Sequence, residues 1–142
     1  MLRKPFAIIA LGIVLAAVAA PKAQAQPLIN ASLQAEQLQQ TGALVVDIRQ
    51  PHEWRETGVL PNAHLVTFGD TEAFLAEIAT MRAPGQPLVL ICRSGNRTAQ
   101  ASRLLAGRID APVVNVTGGM LRLLAEGFSP HLPTRAQGCQ VC

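Results

Sequence analysis

The stretch from Pro87 to Thr98, PLVLICRSGNRT, constrains this chain more than any other. Leu88 to Ile91 is short and wholly apolar, so it reads as a strand buried on both faces. Cys92 follows at once, then a polar turn containing Gly95, then a helical pattern that opens at Asn96 or Arg97. A buried strand running through a loop into a helix is the unit of parallel α/β domains, and it presents reactive groups at the carboxyl edge of the sheet. Cys92 stands at that edge. Arg93 and Arg97 bracket the turn. The helix aims the positive end of its dipole at the same place. These features favour an anion, so Cys92 is expected to react as a thiolate nucleophile. A cysteine at a strand end is more often a small buried hydrophobe, but a packed cysteine has no need of two flanking arginines.

The rest of the chain repeats that alternation. Ser32 is placed to cap a helix carrying Leu33 and Leu38 on its apolar side, ended by Thr41-Gly42. Ala43 to Ile48 reads as a strand, with Asp47 and Arg49 at its end. Pro51 to Glu56 reads as a short helix, since proline suits a first helical position. Ala63 to Val66 is a second strand. Asp70 or Thr71 caps a helix running to Met81, with Phe74, Leu75 and Ile78 inward. The helix after Cys92 turns Ala101, Leu104 and Leu105 inward and closes near Gly107. Val113 to Val116 is another strand, and Gly118-Gly119 turns the chain into a last helix, Met120 to Glu126. Strands alternating with helices indicate an α/β fold, a mainly parallel sheet with helices on both faces.

The first residues are read apart from this domain. Arg3 and Lys4 form a basic start, Phe6 to Ala20 an apolar core, and Ala23-Gln24-Ala25 a small-x-small cleavage site. That is the pattern of a secretory signal peptide spanning residues 1–25, with an apolar core shorter than the roughly 20 residues a spanning helix needs. It implies a periplasmic or secreted protein with no membrane attachment after cleavage. Removing it takes away Arg3, Lys4 and Lys22, and leaves nine arginines against nine acidic residues. The charge then gives no reason to expect nucleic-acid binding.

Four stretches, in order, resemble one family. CRSGNRT is similar to the active-site loop of the rhodanese family, Cys-Arg-x-Gly-x-Arg followed by Ser or Thr. VVDIRQPHEW (Val45 to Trp54) resembles that family's early strand and turn. GVLPNAHLV (Gly58 to Val66) resembles its "GHIPGA" segment, and VTGGMLRLLAEGFSP (Val116 to Pro130) its closing glycine-pair helix. The resemblance implies one rhodanese-like domain over residues 26–130. It implies a sulfurtransferase that carries sulfane sulfur as a Cys92 persulfide, from thiosulfate or a similar small sulfur-containing anion to cyanide, a thiol or a protein cysteine. Arg93, Ser94, Gly95, Asn96, Arg97 and Thr98 would form the substrate cradle, and no cofactor or metal is implied. Asp47 and Arg49 would support the loop rather than react. Arg97 has a second reading, as a brace paired with a carboxylate. Trp54 reads as core, His52 as exposed and His64 as structural. The family's usual tryptophan is Leu123 here, and its "GHIPGA" histidine is Val59.

Other classes remain open at this point: a non-catalytic binding module, a thiol–disulfide protein, or a phosphatase or arsenate reductase-like enzyme. The last usually needs a loop one residue longer than Cys92 to Arg97. Residues 131–142 lie outside the family pattern and end in a CxxC pair, Cys139 and Cys142. They are expected to form a mobile redox tail, disulfide-bonded when idle, that exchanges with Cys92.

Overall fold

The structure, a computed structural model, describes residues 26–142; the leader reading of residues 1–25 lies outside the described residues. The elements alternate as β1 (Leu28–Ala31), α1 (Ala35–Gln40), β2 (Leu44–Asp47), α2 (Pro51–Thr57), β3 (His64–Leu65), α3 (Thr71–Ala79), β4 (Leu88–Ile91), α4 (Asn96–Leu105), β5 (Val113–Val116) and α5 (Gly119–Ala125). A 3-10 turn, Arg135–Gln137, follows them. The five strands form one sheet in the order β1-β5-β4-β2-β3. Every pairing is parallel. β4 lies at the centre and all four of its residues are buried, as its unbroken apolar run requires. The carboxyl ends of β2 and β4 therefore open side by side onto one edge.

Strand alternation divides the interior into two layers. On one face Val45, Val89 and Ile91 pack with Leu38, Trp54, Met120 and Leu123, under α1, α2 and α5. On the other, Leu44, Val46, Leu88, Leu90 and Cys92 pack with Phe74, Ile78, Ala101 and Leu105, under α3 and α4. The α/β architecture with helices on both faces is the one expected from the alternation of patterns.

Several local expectations are corrected. Leu28–Ala31, not among the strands expected from the sequence, is edge strand β1 beside β5. It is short and half-exposed, so its alternation is too brief to register. Ser32 does not cap α1; its hydroxyl meets that of Thr117 at 2.7 Å. Gln34 is the N-cap, and its N–H donates to Gln37 Oε1 at 2.8 Å. Asp70 does cap α3, accepting from the Ala73 N–H at 2.9 Å. α4 buries Thr98, Ala101, Ser102 and Leu105, a stripe at spacings of three and four residues. Leu104 falls one position off that stripe and is 53% exposed rather than inward.

The segment after Pro130 is not a loose tail. Val59 and His131 exchange backbone hydrogen bonds of 2.8 and 3.0 Å. Gln137 Nε2 donates to the carbonyls of Leu60, Pro61 and Ala63. Gly138 lies so close to β3 that a Cβ there would come 2.5 Å from the Leu65 carbonyl oxygen. The expected disulfide, Cys139–Cys142, is formed. Cys139 is wholly buried in the core layer opposite the one that holds Cys92. Intramolecular exchange with Cys92, as expected of a mobile tail, has no path through the sheet between them.

Candidate active site

Cys92 is the first residue past β4, and the turn after it is held from three directions. From within, the Gly95 N–H donates to Cys92 Sγ at 3.2 Å, and the Thr98 hydroxyl lies 3.4 Å from the same sulfur. Thr98 Oγ1 also donates to the Gly95 carbonyl at 3.0 Å, which closes the turn onto the start of α4. The N–H groups of the first helical turn, Asn96 to Thr98, have no partner within the helix, which gives it a positive end at the loop.

From below, α5 receives the loop. The Met120 and Leu121 N–H groups donate to the carbonyls of Cys92 and Arg93, each at 2.9 Å. This contact requires glycine. Gly119 has φ +55°, and a Cβ on it would come 2.4 Å from the Cys92 carbonyl oxygen and 2.6 Å from that of Arg93. Gly95 has φ +89°, and a Cβ there would meet the Gly118 nitrogen at 2.9 Å. The pair Gly118-Gly119 is thus the seat of the cysteine loop, a role more specific than the turn expected of it.

From the side, α2 supplies Glu53. Its carboxylate takes both ends of the Arg97 guanidinium, at 2.6 and 2.7 Å. The Arg97 hydrogen bond holds the Glu53 carboxyl well below its usual range, at about 2, against the opposing effect of burial. The same bond raises Arg97. The structure therefore gives Arg97 the bracing contact that was one of its two readings. Arg93 is exposed, and among the described residues its guanidinium forms no ion pair. Ser94 and Asn96 are exposed around it, while Gly95 and Thr98 are buried beneath.

Asp47 and Arg49 lie one layer out. Arg49 is 1% exposed and donates through Nε and Nη2 to the Asp47 carboxylate at 2.7 to 3.0 Å. Its remaining hydrogens go to Thr57 Oγ1 at 2.6 Å, the Gly58 carbonyl at 2.7 Å and the Glu53 carbonyl at 3.3 Å. The buried pair thus ties the end of β2 to the far end of α2, the helix that carries Glu53. Neither Asp47 nor Arg49 contacts Cys92 Sγ. Trp54 packs in the core; His52 is exposed, and His64 is half-buried in β3.

Glu53 is the site residue that the sequence reading missed. It stands inside the quoted VVDIRQPHEW stretch, and its place in the first turn of a proline-started helix marks it as a cap: it accepts from the Gln50 N–H at 2.9 Å. Only the fold brings it to Arg97, 44 positions along the chain.

A parallel α/β sheet that presents one cysteine in a six-residue loop, over a glycine pair, defines a class of domain. The rhodanese-like domain family matches residues 30–126, and the chain belongs to that family. A curated relative, the thiosulfate sulfurtransferase GlpE of Pseudomonas syringae pv. syringae, is 30% identical over 86 residues, covering 61% of this chain and 76% of the relative. A tRNA uridine(34) hydroxylase of Chlamydia muridarum is 32% identical over 91 residues, which is 61% of this chain but 27% of that protein. Among solved structures, a thiosulfate sulfurtransferase from Pseudomonas aeruginosa superposes with a TM-score of 0.60 at 23% identity, over 75% of this chain and 21% of that one. The last likeness concerns the fold.

Proposed function

We propose that this protein is a sulfurtransferase working through a Cys92 persulfide, and that it acts after export to the periplasm or the cell exterior. The observation that carries the reading is the sulfur of Cys92 at the centre of its loop, with the Gly95 N–H on it at 3.2 Å. Similarity to thiosulfate sulfurtransferases supports the reaction class. The export reading rests on the basic, apolar and small-residue pattern of residues 1–25.

In this reading Arg93, exposed and without an ion pair among the described residues, draws the donor dianion to the loop. The Cys92 thiolate attacks the outer sulfur of thiosulfate. A new S–S bond forms to Cys92, the donor's S–S bond breaks, and sulfite leaves with the electron pair. The persulfide's terminal sulfur is then an anion among the first-turn N–H groups of α4, which stabilise it as they would a bound anion. A nucleophilic acceptor, cyanide or a thiol, takes that sulfur and returns the Cys92 thiolate. Arg97, bound to Glu53, fixes the shape of the cradle. The test is steady-state turnover of thiosulfate and cyanide by the parent and by Cys92→Ser. Ping-pong kinetics lost entirely in the variant support the proposal; a folded parent with no turnover of any sulfane donor opposes it.

A further inference from the structure

The Cys139–Cys142 pair is unlike an ordinary structural staple. Its cysteines are three positions apart, with Cα atoms 5.5 Å from each other, so the bond ties no distant part of the fold together. The segment is docked by other means: the Val59–His131 pair, the three hydrogen bonds of Gln137, and Gly138 against Leu65. The two sulfurs also have opposite environments. Cys139 is 0% exposed, among the residues of the core. Cys142 is exposed, and beside it Val141 is 63% exposed. The Arg55 guanidinium of α2 donates to the Val141 carbonyl at 2.9 Å.

We infer that Cys139 and Cys142 form a second reactive site, a thiol–disulfide exchange centre entered through Cys142 by a dithiol partner. Access decides which sulfur is attacked. An incoming thiolate bonds to the Cys142 sulfur, the Cys139–Cys142 bond breaks, and Cys139 takes the electron pair and a proton. The partner's second thiolate then attacks its own sulfur in the mixed disulfide and releases Cys142, which takes the second proton. The partner dithiol loses two electrons and two protons to become a disulfide, and the tail pair gains both. The reverse sequence reoxidises the tail with a disulfide partner. Burial makes Cys139 the protected resolving thiol, and exposure makes Cys142 the sulfur an incoming thiolate reaches first. The site lies across the sheet from Cys92 and works independently of it, so the inference does not rest on the sulfurtransferase reading.

The test uses the full chain with Cys92→Ser, so that only the tail thiols report. Dithiothreitol is added in native buffer, and the thiols are trapped with iodoacetamide and mapped by mass, with circular dichroism as the folding control. The expected result is an opened bond in a folded protein, with Cys142 labelled at least tenfold faster than Cys139. With the single variants added, Cys139→Ala forms a mixed disulfide with 2-hydroxyethyl disulfide at Cys142, and Cys142→Ala forms none at Cys139. Three results overturn the inference: equal labelling of both cysteines, a bond that opens only in denaturant, or loss of folded structure on reduction.

Discussion

Cys92 and Cys139 are both fully buried, yet they lie in core layers on opposite faces of the sheet and are held by different kinds of structure. The Cys92 loop is contiguous in sequence, but its shape depends on α2 through Glu53 and on α5 through Gly119, Met120 and Leu121. The Cys139 pair closes on itself across three positions and leans on the domain through neighbouring residues. The difference teaches where each site is vulnerable. The loop is sensitive to changes far along the chain. The tail bond can change state without the loop registering it.

The strongest challenge to that contrast is Arg49→Met. It leaves the Asp47 carboxylate buried without its cation, and breaking such a pair typically costs about 3–5 kcal/mol. Because Arg49 also holds Thr57 and Gly58, sulfur transfer is expected to fall with stability, read as a lowered melting temperature and a lowered kcat/KM. Gly119→Ala sharpens the contrast from the other side. The added methyl strikes the carbonyls of Cys92 and Arg93. The expected loss is about 2–4 kcal/mol of stability from backbone conformation and overpacking, together with activity near background. Unchanged activity would mean that the glycine pair is not the loop's seat.

The tail should respond differently. Cys139→Ala/Cys142→Ala removes a bond closing a loop of four residues, which loop entropy values at about 2 kcal/mol. Denaturant unfolding should report that decrease, while thiosulfate-to-cyanide transfer stays within about twofold of the parent on the same reasoning. A large fall in transfer would couple the two sites and break the comparison.

The smallest expected effect is that of Glu53→Gln, about 1 kcal/mol for a partly exposed bidentate pair. The sign of its pH dependence follows from the lowered Glu53 carboxyl, from 4.5 to about 2. The stabilisation is fully present above 4.5 and fades as pH falls through about 2. Acid unfolding followed by circular dichroism should show that fading in the parent and a flatter profile in Glu53→Gln.

Much of this architecture was legible in the sequence because it is locally encoded. The run Leu88 to Ile91 is short and wholly apolar, which suits a strand buried on both faces, and the turn from Cys92 to Arg97 carries its charges and its glycine within one short segment. What escaped is what tertiary packing decides. β1 acquires its strand character from β5, since its own pattern is short and half-exposed. Leu104 points outward because the helix stripe falls on Thr98, Ala101, Ser102 and Leu105. Glu53 reads locally as a helix cap, and its second role exists only because α2 and α4 meet across the end of β2. The tail looked loose because its seat consists of backbone carbonyls, Leu60, Pro61 and Ala63, which carry no side-chain signature.

The central claim is that Cys92 carries sulfur. Intact mass of the protein after exposure to thiosulfate, for the parent and for Cys92→Ser, tests it most directly. A gain of about one sulfur atom, removed by cyanide and absent from the variant, is the predicted result. A folded parent with Cys92 as the free thiol that gains no sulfur from thiosulfate or from any other sulfane donor would contradict it.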